Sequence, residues 1–421
     1  MVFTENDNQS VLKRGLLKRD ADVLRQRRRR DEHRGKERSK REVGRGAHRQ
    51  RYYSSAGSFS RPDSQEWAFA RSKSTENTVL FMKAAHFCFG NSARSSVPKA
   101  RRHRLHGRRD RRCGQAWTLR QRIKNDLIWA IAATAIAAVR PLSPNVLRHL
   151  GRTLGLQAHS LARRSRSIAL KNVARAMPGL SDAARCALVR SCFLTLGELL
   201  AETVALLGAR DWPPPLAMTE HARATLAAAQ ADGRGVIFAS AHLGPWERVA
   251  ASIVASGFPL VALARESYDP RFSALTAQIR TRTGVRTIWR SESTAASKIL
   301  RTLRAGELLG VTMDLRSRVA ACEAAFLGHP APTAVGPAKI ALRTGAAVVV
   351  GTAAPHISAT PGPGCPLVVT ATRIATDGLT RDDAGAVELT TRINAELSRR
   401  ILALPHAWVW MHARWRDEPS V

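Results

Sequence analysis

Short apolar runs alternate with helix-like stretches along the second half of the chain. The apolar runs that predict strands lie at 235–240, 259–264, 308–313, 346–352 and 366–373. Between them, apolar residues recur every three or four positions, as on one face of an amphipathic helix. Strands that alternate with helices are typical of a mostly parallel sheet covered by helices on both faces. The pattern therefore predicts an α/β domain over residues 216–421.

Capping residues predict where several helices begin and end. Ser181 or Asp182 and the pair Asp269-Pro270 are typical helix starts. Ser293 predicts a further start, and Gly284 and Gly306 predict the ends of the helices that follow Pro270 and Ser293. The apolar positions from Leu389 to Leu404 are spaced for one long amphipathic helix near the C-terminus.

Residues 116–215 show helical patterns with a basic and aromatic beginning. Leu127 to Val139 is apolar over 13 residues, which is too short for a clean membrane span. Basic residues precede this stretch, and Trp117 and Trp129 flank or join it. These features favour a helix that lies on a membrane surface, although a core helix remains an alternative. We interpret this region as helical and membrane-associating.

Charge distinguishes the N-terminal part from the rest. The 421 residues include 67 Lys and Arg against 33 Asp and Glu, a formal net charge of +34. Residues 1–115 contain basic clusters at Arg25–Arg51 and Lys99–Arg112, with Ser-rich sequence between them. Such composition predicts disorder, because it offers little apolar surface to bury. A solvated extension or an over-long gene model is the simpler interpretation, and a tail for nucleic acid or anionic lipid is the alternative.

The six cysteines are scattered and show no metal-binding spacing. A disulfide framework or a zinc site is therefore not expected, and free thiols fit a reducing compartment. No cofactor or metal ion is predicted.

The candidate chemistry lies where predicted strands end. His242 follows the first strand, Gly244-Pro245 forms a turn, and Glu247 lies in the first turn of the next helix. Across such a junction a carboxylate can orient the imidazole, whose free nitrogen then acts as a general base. Arg265 and Asp314 follow the next two strands, and parallel neighbours would bring all these groups to one edge of the sheet.

These residues resemble a known family. The spacing His242-x-x-x-x-Glu247 is similar to the signature of the lysophospholipid and glycerolipid acyltransferase superfamily. The span from Trp117 to Pro419 resembles its bacterial lipid A biosynthesis lauroyl/myristoyl branch. The further blocks that carry the resemblance, in chain order, are Asn172-Val173 with Ala176-Met177-Pro178, Arg265-Glu266, Asp314 with Arg316, Phe326 to Thr333 with Gly336-Pro337-Ala338, and Trp408 to Trp415.

The resemblance implies a glycerolipid-acyltransferase-like fold and a membrane-associated O-acyltransferase. The acyl donor would be acyl carrier protein or acyl-CoA, the acceptor a hydroxyl of a lipid A precursor, and the location the cytoplasmic face of the bacterial inner membrane. His242 and Glu247 would be catalytic. The residues that would bind substrate are Arg265, Asp314, Arg316, Phe326, Gly328, Pro332 and Gly336.

Two alternatives to this function remain open. The acceptor could be another polar lipid, such as a phosphatidylinositol mannoside-like glycolipid or a lysophospholipid. The basic N-terminus could instead belong to a nucleic-acid-binding protein with an inactive acyltransferase-like domain. The intact pair His242 and Glu247 argues against an inactive domain, so nucleic acid is not an expected partner.

Overall fold

A computed structural model describes residues 117–139, 141–207, 213–316, 319–356 and 364–415. The predicted N-terminal extension, residues 1–115, lies outside the described residues.

Helices make up the first described part of the chain, as predicted. They are α1 (Leu119–Val139), α2 (Pro144–Leu161), α3 (Arg163–Ala176) and α4 (Asp182–Ala205). Ser181 caps α4 by accepting a hydrogen bond from the N–H of Ala184. Helix α1 begins eight residues before the predicted apolar stretch, because the preceding Arg, Gln and Lys residues are themselves good helix formers. Among the described helices, none has the length and apolar character needed to cross a membrane.

Glycines bring α2 and α4 unusually close together. A Cβ atom placed on Gly197 would clash with the carbonyl oxygen of Gly151, and one on Gly155 would clash with that of Phe193. Only the absence of a side chain permits this approach.

A seven-stranded sheet forms the centre of the molecule, with the order β1-β9-β8-β2-β5-β3-β4. Its strands are β1 (Ala217–Met218), β2 (Val236–Ser240), β3 (Leu260–Ala264), β4 (Arg286–Trp289), β5 (Leu308–Thr312), β8 (Ala347–Pro355) and β9 (Leu367–Ile374). Five neighbouring pairs run parallel, and β8 and β9 run antiparallel. The predicted mostly parallel sheet is confirmed. A separate antiparallel hairpin, β6 (Ala321–Phe326) and β7 (His329–Ala334), was not predicted.

Helices connect the strands and cover the sheet. They are α5 (Glu220–Ala231), α6 (Trp246–Ala255), α7 (Pro270–Arg282), α8 (Ala295–Arg304), α9 (Gly336–Thr344) and α10 (Asp383–Ala403), followed by a 3₁₀ turn at Pro405–Ala407. Asp269 caps α7 as predicted, accepting from the N–H of Arg271. Helix α8 starts two residues after Ser293, with Thr294 at its cap.

The sheet buries both faces, because successive residues of a strand point to opposite sides. In β2, Ile237 and Ala239 belong to the core shared with α3, α4, α9 and α10. Val236 and Phe238 belong to the second core, which α5 and α6 cover. Polar side chains are thereby left to the ends of the strands, where the candidate site lies.

Candidate active site

Three parallel strands bring the predicted polar residues to one edge. Strand β5 lies between β2 and β3, and Ser240 is level with Thr312 in the β2–β5 register. The N–H of Met313 donates to the carbonyl oxygen of Ser240 just beyond that pair, at 3.0 Å. His242 and Asp314 therefore leave the sheet side by side, and Arg265 follows β3, which is the other neighbour of β5. The predicted arrangement at a single sheet edge is confirmed.

The turn after β2 sets the direction of the next helix. Gly244 has a φ of 61°, in the left-handed region that a side chain disfavours. Its N–H donates to the carbonyl oxygen of Ala407, and the N–H of Trp246 donates back to the carbonyl of Gly244. Helix α6 begins at Trp246, so Glu247 lies in its first turn as predicted.

His242 and Asp314 form a doubly hydrogen-bonded pair. The Nδ1 atom of His242 lies 2.9 Å from Oδ1 of Asp314, and the backbone N–H of His242 donates to Oδ2, also at 2.9 Å. The His242 side chain is 16% exposed, whereas that of Asp314 is fully buried. Because a carboxylate is an acceptor, Nδ1 carries the hydrogen in the neutral imidazole, and the basic lone pair is then on Nε2. In the imidazolium both nitrogens carry a hydrogen, and its positive charge faces Asp314.

Asp314 stays ionised in spite of its burial. Burial alone would raise the pKa of this carboxyl, but the charge of His242 and hydrogen bonds from His242 and Trp408 lower that pKa below its usual value. The indole Nε1 of Trp408 donates to Oδ2 at 2.8 Å. His242 and Trp408 thus contact both oxygens of the Asp314 carboxylate, which lies next to the imidazole. A role of Asp314 in substrate binding stays a prediction.

Glu247 has a different partner from the one predicted. Its two carboxylate oxygens accept from Nε and Nη2 of Arg280 on α7, at 3.0 and 2.8 Å. Burial opposes ionisation, but the Arg280 guanidinium and the nearby charge of His242 lower the pKa of Glu247. The carboxylate that holds Nδ1 of His242 is thus Asp314, and Glu247 adds a second negative charge near the ring. A catalytic role for Glu247 stays a prediction.

The remaining predicted substrate-binding residues differ in exposure. Arg265 and Arg316 are exposed at the sheet edge, after β3 and β5. Gly328 is exposed in the tight turn of the β6–β7 hairpin, with a φ of 81°. Gly336 is half-buried at the start of α9.

Two of these residues belong to the packing behind the site. Phe326 is fully buried, with its ring 5.6 Å from the ring of Trp408 and 4.4 Å from the guanidinium of Arg414. Pro332 is buried too, and its carbonyl oxygen accepts from Nη1 of Arg414 at 2.6 Å. Both side chains are buried behind the site. Contact of Phe326 or Pro332 with substrate stays a prediction.

Sequence reasoning missed Arg280 and Trp408 as individual site residues. Arg280 lies in a helix with two other arginines, Arg271 and Arg282, so the sequence does not distinguish it from them. Trp408 was noticed only within a larger block of the resemblance. A buried Trp side chain usually donates its single N–H to a polar partner. The sequence alone does not indicate which residue that partner is.

Metal binding has no support in the part of the chain that the structure describes. Within it, no group of three or more His, Cys, Asp or Glu side chains could hold a metal ion.

The fold and the site define an α/β protein whose sheet edge carries a histidine–carboxylate pair, an arrangement suited to general base chemistry. A family model described as bacterial lipid A biosynthesis acyltransferase matches residues 115–417, and the chain belongs to this family. Membership implies an acyltransferase that acts in lipid A biosynthesis, in agreement with the resemblance found in the sequence. A search of curated proteins finds no significant match.

Proposed function

We propose that the protein is a membrane-associated O-acyltransferase that moves a fatty acyl chain from a thioester carrier to a hydroxyl of a lipid A precursor or related glycolipid. Acyl carrier protein or acyl-CoA would be the donor, and no cofactor takes part. The observation that carries the proposal is the His242–Asp314 pair at the sheet edge. The Asp314 carboxylate fixes the hydrogen of the neutral imidazole on Nδ1, so Nε2 is the basic nitrogen.

The reaction needs one base that later serves as an acid. Nε2 of His242 takes the proton of the acceptor hydroxyl while the oxygen attacks the thioester carbonyl. The tetrahedral intermediate then collapses, the C–S bond breaks, and the imidazolium returns the proton to the leaving thiolate. The products are an ester and the free carrier thiol. Asp314 and Glu247 both stabilise the imidazolium that exists between these two proton transfers.

The oxyanion of the intermediate needs donors near the first turn of α6. The N–H groups of Gly244 and Trp246 already donate to backbone carbonyls. The amides of Glu247 and Arg248 are the next donors along this turn, where the helix dipole also favours negative charge. Arg265 is the alternative, since its exposed guanidinium follows β3 at the same edge.

Cationic side chains at the edge suit anionic substrates. Arg265 and Arg316 are both exposed beside the His242–Asp314 pair. Guanidinium groups bind phosphate through paired hydrogen bonds, and phosphates occur on both the lipid acceptor and the carrier. We assign the two arginines to phosphate binding.

Helix α1 supports the membrane location. Its exposed apolar side chains recur every four residues and form one stripe: Leu119, Ile123, Leu127 and Ile131. The helix is held next to the site, because Asp126 pairs with Arg271 at 2.8 Å and Trp129 packs edge-on against Phe272. Those two partners lie in the first turn of α7, a few residues after Arg265. A stripe inserted at a membrane surface would place the site at the lipid headgroups, which fits the cytoplasmic face of the bacterial inner membrane.

The direct test is acyl transfer by the purified full-length protein. Vesicles that contain a lipid A precursor are offered acyl carrier protein thioester or acyl-CoA in separate reactions, and mass spectrometry identifies the acylated lipid. We expect transfer, and we expect His242→Ala to lower turnover by about 10³-fold while thermal unfolding is unchanged. His221→Ala, which changes an exposed histidine on α5, is the matched control and keeps full activity.

Other results would redirect the proposal. Transfer only to a lysophospholipid or to a phosphatidylinositol mannoside-like lipid would replace the acceptor but keep the reaction. No transfer to any lipid, together with salt-dependent binding of nucleic acid, would favour the inactive-domain alternative. Near-normal activity in His242→Ala would refute the assigned base.

A further inference from the structure

The last described part of the chain, Pro405–Trp415, packs directly behind the candidate active site. We call it the closing segment. Leu243 and Trp408 form an antiparallel bridge, and the N–H of Gly244 donates to the carbonyl of Ala407. The segment therefore pairs with the same turn that carries His242.

Two earlier helices hold the closing segment in place. Nδ2 of Asn172, on α3, donates to the carbonyl oxygens of Trp410 and His412, at 2.7 and 2.8 Å. The thiol of Cys192, on α4, donates to the carbonyl oxygen of Trp408 at 2.8 Å. Since Trp408 is also fully buried against Phe326, its backbone and its ring are both fixed.

The fixed position of Trp408 directs its indole N–H towards the buried carboxylate of Asp314. Oδ2 of Asp314 receives the indole N–H of Trp408 and the backbone N–H of His242, while Oδ1 faces Nδ1 of His242. A carboxylate that is held at both oxygens cannot rotate about its Cβ–Cγ bond. Its Oδ1 is therefore kept in line with the imidazole.

We propose that Trp408 is a positioning residue of the acyl transfer, which acts through Asp314 and touches neither substrate. The indole N–H holds the carboxylate in the orientation, and in the ionised form, that fixes the hydrogen of His242 on Nδ1. This inference rests on the proposed function, but one of its tests does not depend on activity.

The neighbouring Trp410 separates this role from packing. Both indoles are fully buried, and their rings meet edge to face at 4.7 Å. The Nε1 of Trp410, however, donates to the neutral carbonyl of Pro405 at 2.7 Å. Trp408→Phe and Trp410→Phe thus remove the same atoms and one hydrogen bond each, and only the first takes a donor from the carboxylate.

The direction of the expected pH effect follows from the charges around Asp314. The ionisable groups that face this carboxylate, directly or through its partners, are His242 after β2, Glu247 in the first turn of α6, Arg316 after β5, and His412 and Arg414 in the closing segment. All of them are present in both variants. Losing the indole donor raises the pKa of Asp314, because the ionised form loses a hydrogen bond. The pair then takes up its first proton at higher pH.

The experiment compares the full-length wild type with Trp408→Phe and Trp410→Phe. Steady-state kinetics are measured from pH 5 to pH 9, and thermal unfolding is measured for each protein. We expect Trp408→Phe to lower kcat about tenfold, the loss of one hydrogen bond to a charged group, with KM unchanged. The acidic limb of its pH profile moves to higher pH. Trp410→Phe keeps the wild-type profile even where its unfolding temperature falls as much.

Two further measurements complete the test. In an Asp314→Asn background, Trp408→Phe should cost less than a further twofold, because the carboxylate it positions is gone. The proton resonance of Nδ1 in His242, measured by NMR without substrate, should move in Trp408→Phe and not in Trp410→Phe. This readout remains informative even for a protein without transfer activity, so it separates the inference from the proposed function. Equal behaviour of the two Phe variants in profile and resonance would overturn the inference.

Discussion

The sheet edge and the β6–β7 hairpin both contain residues that the sequence predicts to bind substrate. In the structure, these residues differ in their exposure to solvent. At the edge, His242 and Arg316 keep exposed surface where a substrate can reach them. In the hairpin, Phe326 and Pro332 are buried and pack around Arg414. The sheet edge therefore exposes polar side chains to solvent, whereas the hairpin packs against the buried residues that support them.

The difference teaches how a motif residue can matter without touching a substrate. Phe326 contacts Trp408, Trp408 donates to Asp314, and Asp314 holds His242. A block of sequence that accompanies an activity may therefore specify the wall of the site rather than its open face. Exposure decides between these two roles, and the sequence pattern does not display it.

The hairpin side of the comparison can be tested by Phe326→Ala. Removing a fully buried aromatic ring should lower the free energy of unfolding by about 3 kcal/mol, as in other large-to-small core changes. The KM values for donor and acceptor should stay within twofold, because the ring is buried behind the site. Urea unfolding and steady-state kinetics check the two parts. A raised KM in a protein of normal stability would show that the hairpin binds substrate after all.

The edge side can be tested by Asp314→Asn. The change keeps the size of the side chain but removes the negative charge next to the imidazole. We expect kcat to fall about 100-fold with KM nearly unchanged, because the imidazolium loses its stabilising partner. Kinetics at saturating and at limiting acceptor separate the two constants. An effect confined to KM would return Asp314 to the substrate-binding group.

His412, in the closing segment between the two regions, should make stability depend on pH. Burial is the main cause that lowers the pKa of its imidazole from 6.5 to about 4; the charge of Arg414 lowers it further, and that of Asp314 opposes the shift. The unfolded chain therefore binds this proton more readily than the folded one, and stability is lost as the pH falls from about 6.5 towards 4. Between pH 7 and pH 5 the loss amounts to about 2 kcal/mol.

The measurement for this third prediction is urea unfolding of wild type and His412→Gln at pH 7 and pH 5. The variant should lack this part of the pH dependence, although its stability at pH 7 can differ. An identical drop in both proteins would show that other groups account for the acid sensitivity.

Much of the α/β core could be predicted from the sequence because its strands are buried on both faces. Runs such as Val236–Ser240 and Ala347–Pro355 are apolar nearly throughout, which is the mark of a central parallel strand. The edge strand Arg286–Trp289 was missed, because it is short and begins with an exposed arginine. The hairpin strand His329–Ala334 was missed as well, since its two prolines argue against a strand.

The sequence predicted where the candidate site lies in the fold, but it did not predict which carboxylate contacts His242. The order of elements places His242, Arg265 and Asp314 after successive parallel strands, so their common edge follows from topology. Which carboxylate contacts the imidazole depends on the directions that the turns after β2 and β5 take beyond the sheet. Asp314 and Glu247 were equally available by sequence, and the Arg280 guanidinium on α7 binds the second of them.

The sequence by itself determined the alternation of strands and helices, the family, and the histidine at the end of β2. These properties are local, because periodicity and capping depend on neighbours in the chain. Only the tertiary structure decided that Asp314 holds that histidine, that Trp408 holds Asp314, and that Phe326 is buried behind them. Those contacts join residues 72 to 94 positions apart, and they form only when separate strands and the closing segment pack together.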